Sequence, residues 1–458
     1  MEHSIRYGRL RVLTADHGVY TFGAADNSGS SADIRVIRDT FWLRLVTLGD
    51  LGFAEAYMAG DCEVSDLVEV FKIFIRSRPS LSEKANISGV TTIPSKIFTL
   101  VTSLTNSRFA NTISNSMSNI QAHYDLSNTM FNLFLSRDMT YSSAIFPELD
   151  SDLKRGNGEV EGVNGGIGLK RIGEMGKKAL SSGNDEKDEG KDELEEGQLL
   201  KLRHIIRKAD IQPGHRVLEI GSGWGSFAIE AVRMTNCTVD TITLSAQQKI
   251  LAEERIKKAG LEGRIRVWLV DYRNLPQSWK GAFDRVVSIE MLEAVGKEFI
   301  AGYFGVLDSM LNDKGVACIQ VITIPEARFE AYQKEVDFIR KWIFPGGFLP
   351  TVSYVVDAIR VGSKDRLVVD SIANIGPHYA RTLREWRRRF LSHFNDGIMP
   401  ALRVEHPEMS EADIEVFKRK WIYYFCYCEV GFAERVLGDH IITMVREGNA
   451  DYGCTTFE

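Results

Sequence analysis

Hydrophobic and polar positions change their rhythm several times along the chain, and each rhythm predicts a different structure. Over residues 1–120, short alternating runs are interrupted by one stretch, 66–76, whose apolar positions recur at helical spacing. That mixture predicts a small α+β domain. Residues 198–211 are amphipathic, with Leu199, Leu202, Ile205 and Ile206 on one face. Beyond them the apolar runs 217–220, 238–243, 265–270, 284–289 and 316–322 read as strands, and helical patterns at 246–259 and 298–311 separate some of them. Strand and helix alternating in this way predict an α/β domain: a parallel sheet with helices on both faces, spanning 198–458.

Between these regions the pattern disappears. Residues 151–197 contain few large apolar side chains, and NDEKDEGKDELEEG (184–197) carries eight acids against two lysines. Such a stretch cannot bury enough surface to offset the entropy of ordering, so a disordered acidic insert is expected. A short segment, 121–150, connects it to the small domain.

Composition narrows the function classes. The 458 residues are 44% hydrophobic and 26% charged with a net charge of −6, so there is no basic field to attract nucleic acid. The opening MEHSIRYGRLRVL breaks its apolar residues with Glu2, Arg6, Arg9 and Arg11, which argues against a secretory leader. The longest strongly apolar run, 421–428, is far shorter than the roughly 20 residues that span a bilayer. A cytoplasmic protein is expected. The six cysteines are scattered and their one close pair is C-x-C, so buried thiols are expected and no metal site.

The candidate chemistry begins where the strand VLEI runs into GSGWGS (221–226) and FAIEAVRM follows as a helix. Glycines permit the sharp turn and leave room for a ligand against the main chain, and the helix start presents free N–H groups. A nucleotide-like cofactor fits. A dinucleotide fold would show G-x-G-x-x-G and an acid about 20 residues later; this chain has G-S-G-W-G and a second strand ending in Thr243, Leu244 and Ser245. Glu219 in the first strand and Asp271 after the third instead resemble the class I methyltransferase pattern, with Asp271 and Tyr272 placed to hold and cover an adenine.

Several separated motifs, in one order, then carry a resemblance to the cyclopropane-fatty-acyl-phospholipid synthase family, which includes the mycolic acid cyclopropane synthases. They are LGDLGFAEAYMAGDCEVSDL, HYDLSNTMFNLFLSRDMTYSSAIF, VLEIGSGWGSFAIEA, TLSAQQ, DYRNL, SIEMLEAVG, WIFPGGFLP and YYFCYCEVGFAERVLG. The resemblance implies a Rossmann-like class I methyltransferase with a seven-stranded, mostly parallel sheet. It also implies an active-site lid at 121–150 and an insertion near 325–350 that shapes an acyl pocket. By the same resemblance, S-adenosylmethionine is the cofactor, held by Tyr141, Ser142, Gly221, Gly223, Thr243, Leu244, Gln248, Asp271 and Tyr272. Its methyl group goes to the double bond of an unsaturated phospholipid acyl chain, and a bound bicarbonate accepts the proton lost as a cyclopropane closes. The bicarbonate pocket falls on Ser143, Glu293, Gln320, Ile322 and Tyr379. Ser143 stands where bacterial members have cysteine, and Gln320 where they have histidine; an amide donates a hydrogen bond but does not titrate.

Two other readings stand beside this one: methylation of another lipid or small molecule without ring closure, and a lipid-binding protein without catalysis. A phospholipid substrate also calls for contact with a membrane surface, for which TLREWRRRF (382–390) is the candidate, with Arg384, Arg387, Arg388 and Arg389 beside Trp386. A homodimer is compatible with the family.

Overall fold

The computed structural model describes residues 5–23, 30–82, 128–155 and 192–453. The chain divides into two compact units, Met1–Lys96 with Asp150–Glu196, and Ile97–Leu149 with Gly197–Glu458. The small-domain boundary expected near residue 120, most of the acidic insert, and residues 123–127 of the HYDLSN motif lie outside the described residues.

In the first unit, β1 (Arg9–Leu13), β2 (Val19–Phe22), β3 (Ser31–Val36) and β4 (Cys62–Val64) form a sheet in the order β2-β1-β3-β4. Strands β1 and β3 alternate between buried and more exposed positions, as a sheet with one covered face requires. The Leu67–Ser82 helix covers the helical run expected at 66–76 from its second residue on. Asp61, almost fully buried, is neutralised by Arg38 at 2.8 Å and Arg44 at 2.9 Å.

The second unit is built on β5 (Arg216–Ile220), β6 (Thr238–Thr243), β7 (Ile265–Leu269), β8 (Phe283–Ile289), β9 (Leu311–Thr323), β10 (Leu367–Asn374) and β11 (Gly438–Arg446). Their order is β10-β11-β9-β8-β5-β6-β7, with β5 to β9 parallel and β11 antiparallel to both neighbours. The central strands are buried on both faces, which explains their near-continuous apolar runs. One apolar cluster, including Leu218, Val286, Phe304 and Ile359, and another, including Val217, Phe227, Ile205 and Val287, form the core. Each fully buried aliphatic side chain contributes about 1.5–3 kcal/mol.

Successive crossovers leave β5 in opposite directions, to β6 and β7 on one side and to β8 and β9 on the other. Loops therefore diverge at the carboxyl ends of β5 and β8, the crevice where open α/β sheets bind ligands. Register puts Ile220 beside Ser288 and Ile289 beside Gln320, so the residues following all three strands share one edge.

Two expectations need correction here. Residues 193–197, placed in the disordered insert, are the first turns of the Glu193–Lys208 helix, and Ser151–Arg155 is helical as well. Asp192 caps the first of these by accepting the Leu194 and Glu195 N–H groups at 3.0 and 3.3 Å. Glu193, Glu195 and Glu196 then sit at the positive end of the helix dipole, so acids that look like a solvated run are helix-starting residues.

Candidate active site

The turn after β5 depends on its glycines. Gly221, Gly223 and Gly225 have φ of 99°, 48° and 86°, the left-handed region that glycine enters without steric cost. The Gly221 and Ser222 N–H groups donate to the Ile242 carbonyl at 3.0 and 2.9 Å, which ties the turn to β6. A Cβ on Gly221 would lie 3.1 Å from the Met291 side chain, whereas at Gly223 it would meet nothing within 4 Å. The loop thus borders open space. That space is a cleft of about 1000 Å³, counting its mouth, lined by Gly221, Gly223, Thr243, Leu244, Gln248 and Tyr272, and also by Tyr141, Ser142, Lys201, Glu219 and Glu290.

Eight of the nine residues expected to hold the cofactor therefore line one cleft. Thr243 donates to the Gln248 amide oxygen at 2.8 Å, fixing both side chains. Asp271 is the exception and is absent from the lining. Its carboxylate accepts the Arg273 backbone N–H and Nε at 2.9 Å each, capping a short turn and pairing with the guanidinium. The cleft suits S-adenosylmethionine: a glycine cradle, an aromatic ring at Tyr272, and a lining acid, Glu219, whose Oε2 is buried with no hydrogen-bond partner and favours a cationic ligand.

The residues expected to bind bicarbonate are also brought together, but around a protein carboxylate. Ser143 N–H donates to Glu290 Oε1 at 2.8 Å, Gln320 Nε2 donates to the same oxygen at 2.8 Å, and Tyr379 O–H donates to Oε2 at 2.6 Å. Three of the five expected residues thus share one acceptor that the sequence reading did not include. The other two, Glu293 and Ile322, form their own pair, with the Ile322 N–H donating to Glu293 Oε1. The donor set does not fit a separate bicarbonate as it stands, because three of the expected donors are engaged by Glu290.

Position and support explain why Glu290 reaches this point. It follows β8 directly, its backbone turns into the left-handed region at φ 46°, and its N–H donates to the Gln320 carbonyl at 2.8 Å. Ser143 comes from a segment pinned from several directions. Ala144 N–H donates to Thr382 Oγ1 at 3.1 Å, Phe146 N–H to His378 Nδ1 at 3.1 Å, and Gln198 Nε2 to the Ser142 carbonyl at 2.7 Å. Tyr379, on the Gly376–Ser392 helix, is held by stacking on Phe432 at 4.4 Å.

The electrostatics follow from burial. Lys201 is fully buried, its Nζ donating to Ser142 Oγ at 2.5 Å, and burial lowers it to about 8. Burial pushes Glu219 up to about 8, and burial together with the Glu290 charge does the same to Glu293. Asp439, which accepts from Gln320 Nε2 at 2.7 Å, is raised well above the usual carboxylate range by burial and by Glu290. Burial also raises Glu290, opposed by Lys201, by the Tyr379 and Ser143 donors and by the hydrogen bond with Asp439. Burial holds the Tyr379 phenol in its protonated, donating form. Burial thus raises all four carboxyls, and among them the Lys201 charge with the Ser143, Gln320 and Tyr379 donors favours the anionic form at Glu290.

Lys201 and Gln198 were legible as polar residues on the buried stripe 194, 198, 201, 205 of their helix, but the amphipathic reading credited only its apolar members. The membrane candidate at 382–390 is corrected. Trp386 is completely buried, Arg384 and Arg387 lie against buried Glu429 at 3.7 and 3.0 Å, and Arg388 pairs with Glu385. In the expected acyl-pocket insertion, Phe338, Ile343 and Phe348 are buried, and Phe348 N–H donates to the Glu293 carbonyl at 2.9 Å. The insertion therefore abuts the acid cluster. No helix among the described residues is long and apolar enough to cross a membrane.

Strand order, antiparallel β11 and the glycine turn define a class I S-adenosylmethionine-dependent methyltransferase. The family model for mycolic acid cyclopropane synthetase matches residues 111–159 and 186–440, and the chain belongs to that family. Tuberculostearic acid methyltransferase UfaA1 of Mycobacterium tuberculosis is 32% identical over 442 residues, covering 96% of this chain and 88% of the relative. Cyclopropane-fatty-acyl-phospholipid synthase of Escherichia coli is 29% identical over 416 residues, covering 90% and 87%. The solved structure of mycolic acid cyclopropane synthase CmaA1, complexed with SAH and CTAB, superposes with a TM-score of 0.54 at 24% identity over 72% of this chain and 98% of that one, a likeness of fold.

Proposed function

We propose that this enzyme transfers the methyl group of S-adenosylmethionine to a double bond in an unsaturated phospholipid acyl chain, and that loss of a proton closes a cyclopropane ring. The observation that carries this reading is the buried carboxylate of Glu290, held by Ser143, Gln320 and Tyr379 in the lining of the cleft that the glycine turn borders. Alkylating an alkene creates a carbocation, which needs a fixed anion close by and an acceptor for the departing proton. An amine acceptor forms no carbocation, since its own lone pair attacks. The relative named as a cyclopropane-fatty-acyl-phospholipid synthase supports the same acceptor and product.

A second reading is favoured by the more similar relative, which is named a methyltransferase: the same transfer, with the proton lost but no ring closed, leaves a methylene branch or a methyl branch on a retained double bond. One experiment separates the outcomes. Purified protein is given vesicles of an unsaturated phospholipid and S-adenosylmethionine labelled with deuterium in its methyl group. Ring closure costs the transferred methyl one deuteron and gives high-field ring signals in NMR, whereas an unclosed branch keeps a double bond, seen as an olefinic signal or as an intact methyl beside one. Label on an added amine and none in lipid would refute both.

A further inference from the structure

We propose that Glu290 is the enzyme's own proton acceptor, standing where the family resemblance places an exogenous bicarbonate. The inference rests on acyl alkylation as the reaction, and three independent observations point to it. The donors expected for the anion converge on this one carboxylate, two on Oε1 and one on Oε2. Glu290 also lines the cofactor cleft, whereas Glu293 is turned to the Ile322 N–H and does not appear in that lining. Finally, Glu290 adopts φ 46°, a conformation that side-chain-bearing residues seldom take and that the surrounding contacts must hold.

Bound S-adenosylmethionine supplies the methyl group as an electrophile. The alkene π pair forms the new C–C bond as the S–C bond breaks, and the positive charge passes from sulfur to the neighbouring acyl carbon. Glu290, as the carboxylate favoured by the charge of buried Lys201, then removes a proton from the transferred methyl. The C–H electron pair becomes the closing ring bond, so charge and atoms balance with Glu290 as the neutral acid. Tyr379, Gln320 and the Ser143 N–H hold the carboxylate in place. Release of that proton to water before the next turnover restores the anion. A protein carboxylate makes the step independent of dissolved carbonate.

The test compares wild type, Glu290→Gln and Glu290→Gly in buffer stripped of carbon dioxide and then supplied with millimolar bicarbonate. Wild type should turn over phospholipid at the same rate in both. Glu290→Gln, which keeps a side chain of the same size without the basic oxygen, should lose at least ~100-fold in kcat while S-adenosylmethionine affinity by calorimetry changes little. Glu290→Gly relieves the left-handed backbone and frees the three donors. It should be slow without carbonate and recover at least ~10-fold when bicarbonate or formate is added. Wild-type activity that disappears with carbonate and returns with it would overturn the inference, as would a Glu290→Gln enzyme of normal rate.

A direct binding measurement keeps this separate from the acceptor assignment. Carbon-13 bicarbonate, followed by NMR with S-adenosylhomocysteine present, should bind saturably to Glu290→Gly and not to wild type. Saturable binding to wild type, or its absence from Glu290→Gly, would refute the replacement whatever the acceptor proves to be. Failure of wild type to label phospholipid would refute the acyl reading alone.

Discussion

Glu293→Gln distinguishes a neutral acid from an ionised one at a position where the sequence expectation required a group that grips an anion. Burial and the neighbouring Glu290 charge raise its carboxyl from 4.5 to about 8, so near pH 7 about nine molecules in ten carry the proton. Glutamine then replaces a neutral group of nearly the same shape, and its carbonyl still accepts the Ile322 N–H. Turnover near pH 7 should stay within ~3-fold of wild type, a change of under about 1 kcal/mol. Stability provides the sharper measurement. The folded protein keeps this proton up to about pH 8, whereas an unfolded glutamate releases it near 4.5. The stability it contributes is therefore complete below 4.5 and is lost as pH rises through 8, at about 1.4 kcal/mol per pH unit. Glutamine has no proton to lose, so the variant gains on wild type by roughly 4 kcal/mol between about pH 5 and 8. Thermal unfolding of both proteins side by side over that range cancels the other titrating groups. The Tm of the variant minus that of wild type should climb by on the order of 2 °C per pH unit. A difference that stays flat with pH, or a ~100-fold loss of kcat near pH 7, would show that Glu293 works in its ionised form and refute the charge assignment.

Removing the counter-ion should act through Glu290. Lys201→Met leaves that carboxylate without its buried cation, so the acid limb of the kcat profile should move up by at least ~1 pH unit, while an unshifted limb would make Lys201 a packing residue only. Because Glu219, which lines the cleft, stays protonated to about 8, arrival of a sulfonium should expel part of a proton. Calorimetry near neutral pH in two buffers of different ionisation heat should therefore find more proton release for S-adenosylmethionine than for uncharged-sulfur S-adenosylhomocysteine, and equal release would count against a neutral Glu219 in the cleft. Trp386→Ala removes a completely buried ring and should cost about 3–5 kcal/mol, read as a lower Tm, with no change in sedimentation with anionic vesicles; selective loss of vesicle binding would restore the membrane role of this stretch.

What was legible in the sequence and what was not follows from how local each determinant is. The parallel core could be read because strands buried on both faces must be apolar throughout, and the glycine turn because its backbone angles exclude other residues. The stretch at 382–390 was misread because Glu429, which lies against two of its arginines, stands about 40 residues later in the chain and gives no local signal. Glu290 and Glu293 were a harder case, two acids three residues apart in SIEMLEAVG after a buried strand. Either could serve an anion-dependent reaction, and spacing does not choose between them. The choice is made by the backbone, which turns out of the strand at Glu290, and by donors from segments far apart in the chain. A buried N–H, an amide and a phenol that converge on one carboxylate favour its anionic form, because a hydrogen bond to an ionised acceptor is stronger than one to a neutral acid. The neighbouring acid, denied those donors and repelled by that charge, is left neutral. Two similar glutamates thereby sit in different electrostatic settings, and the one with three donors and a nearby buried cation is the better placed to carry the charge that the proposed proton transfer requires.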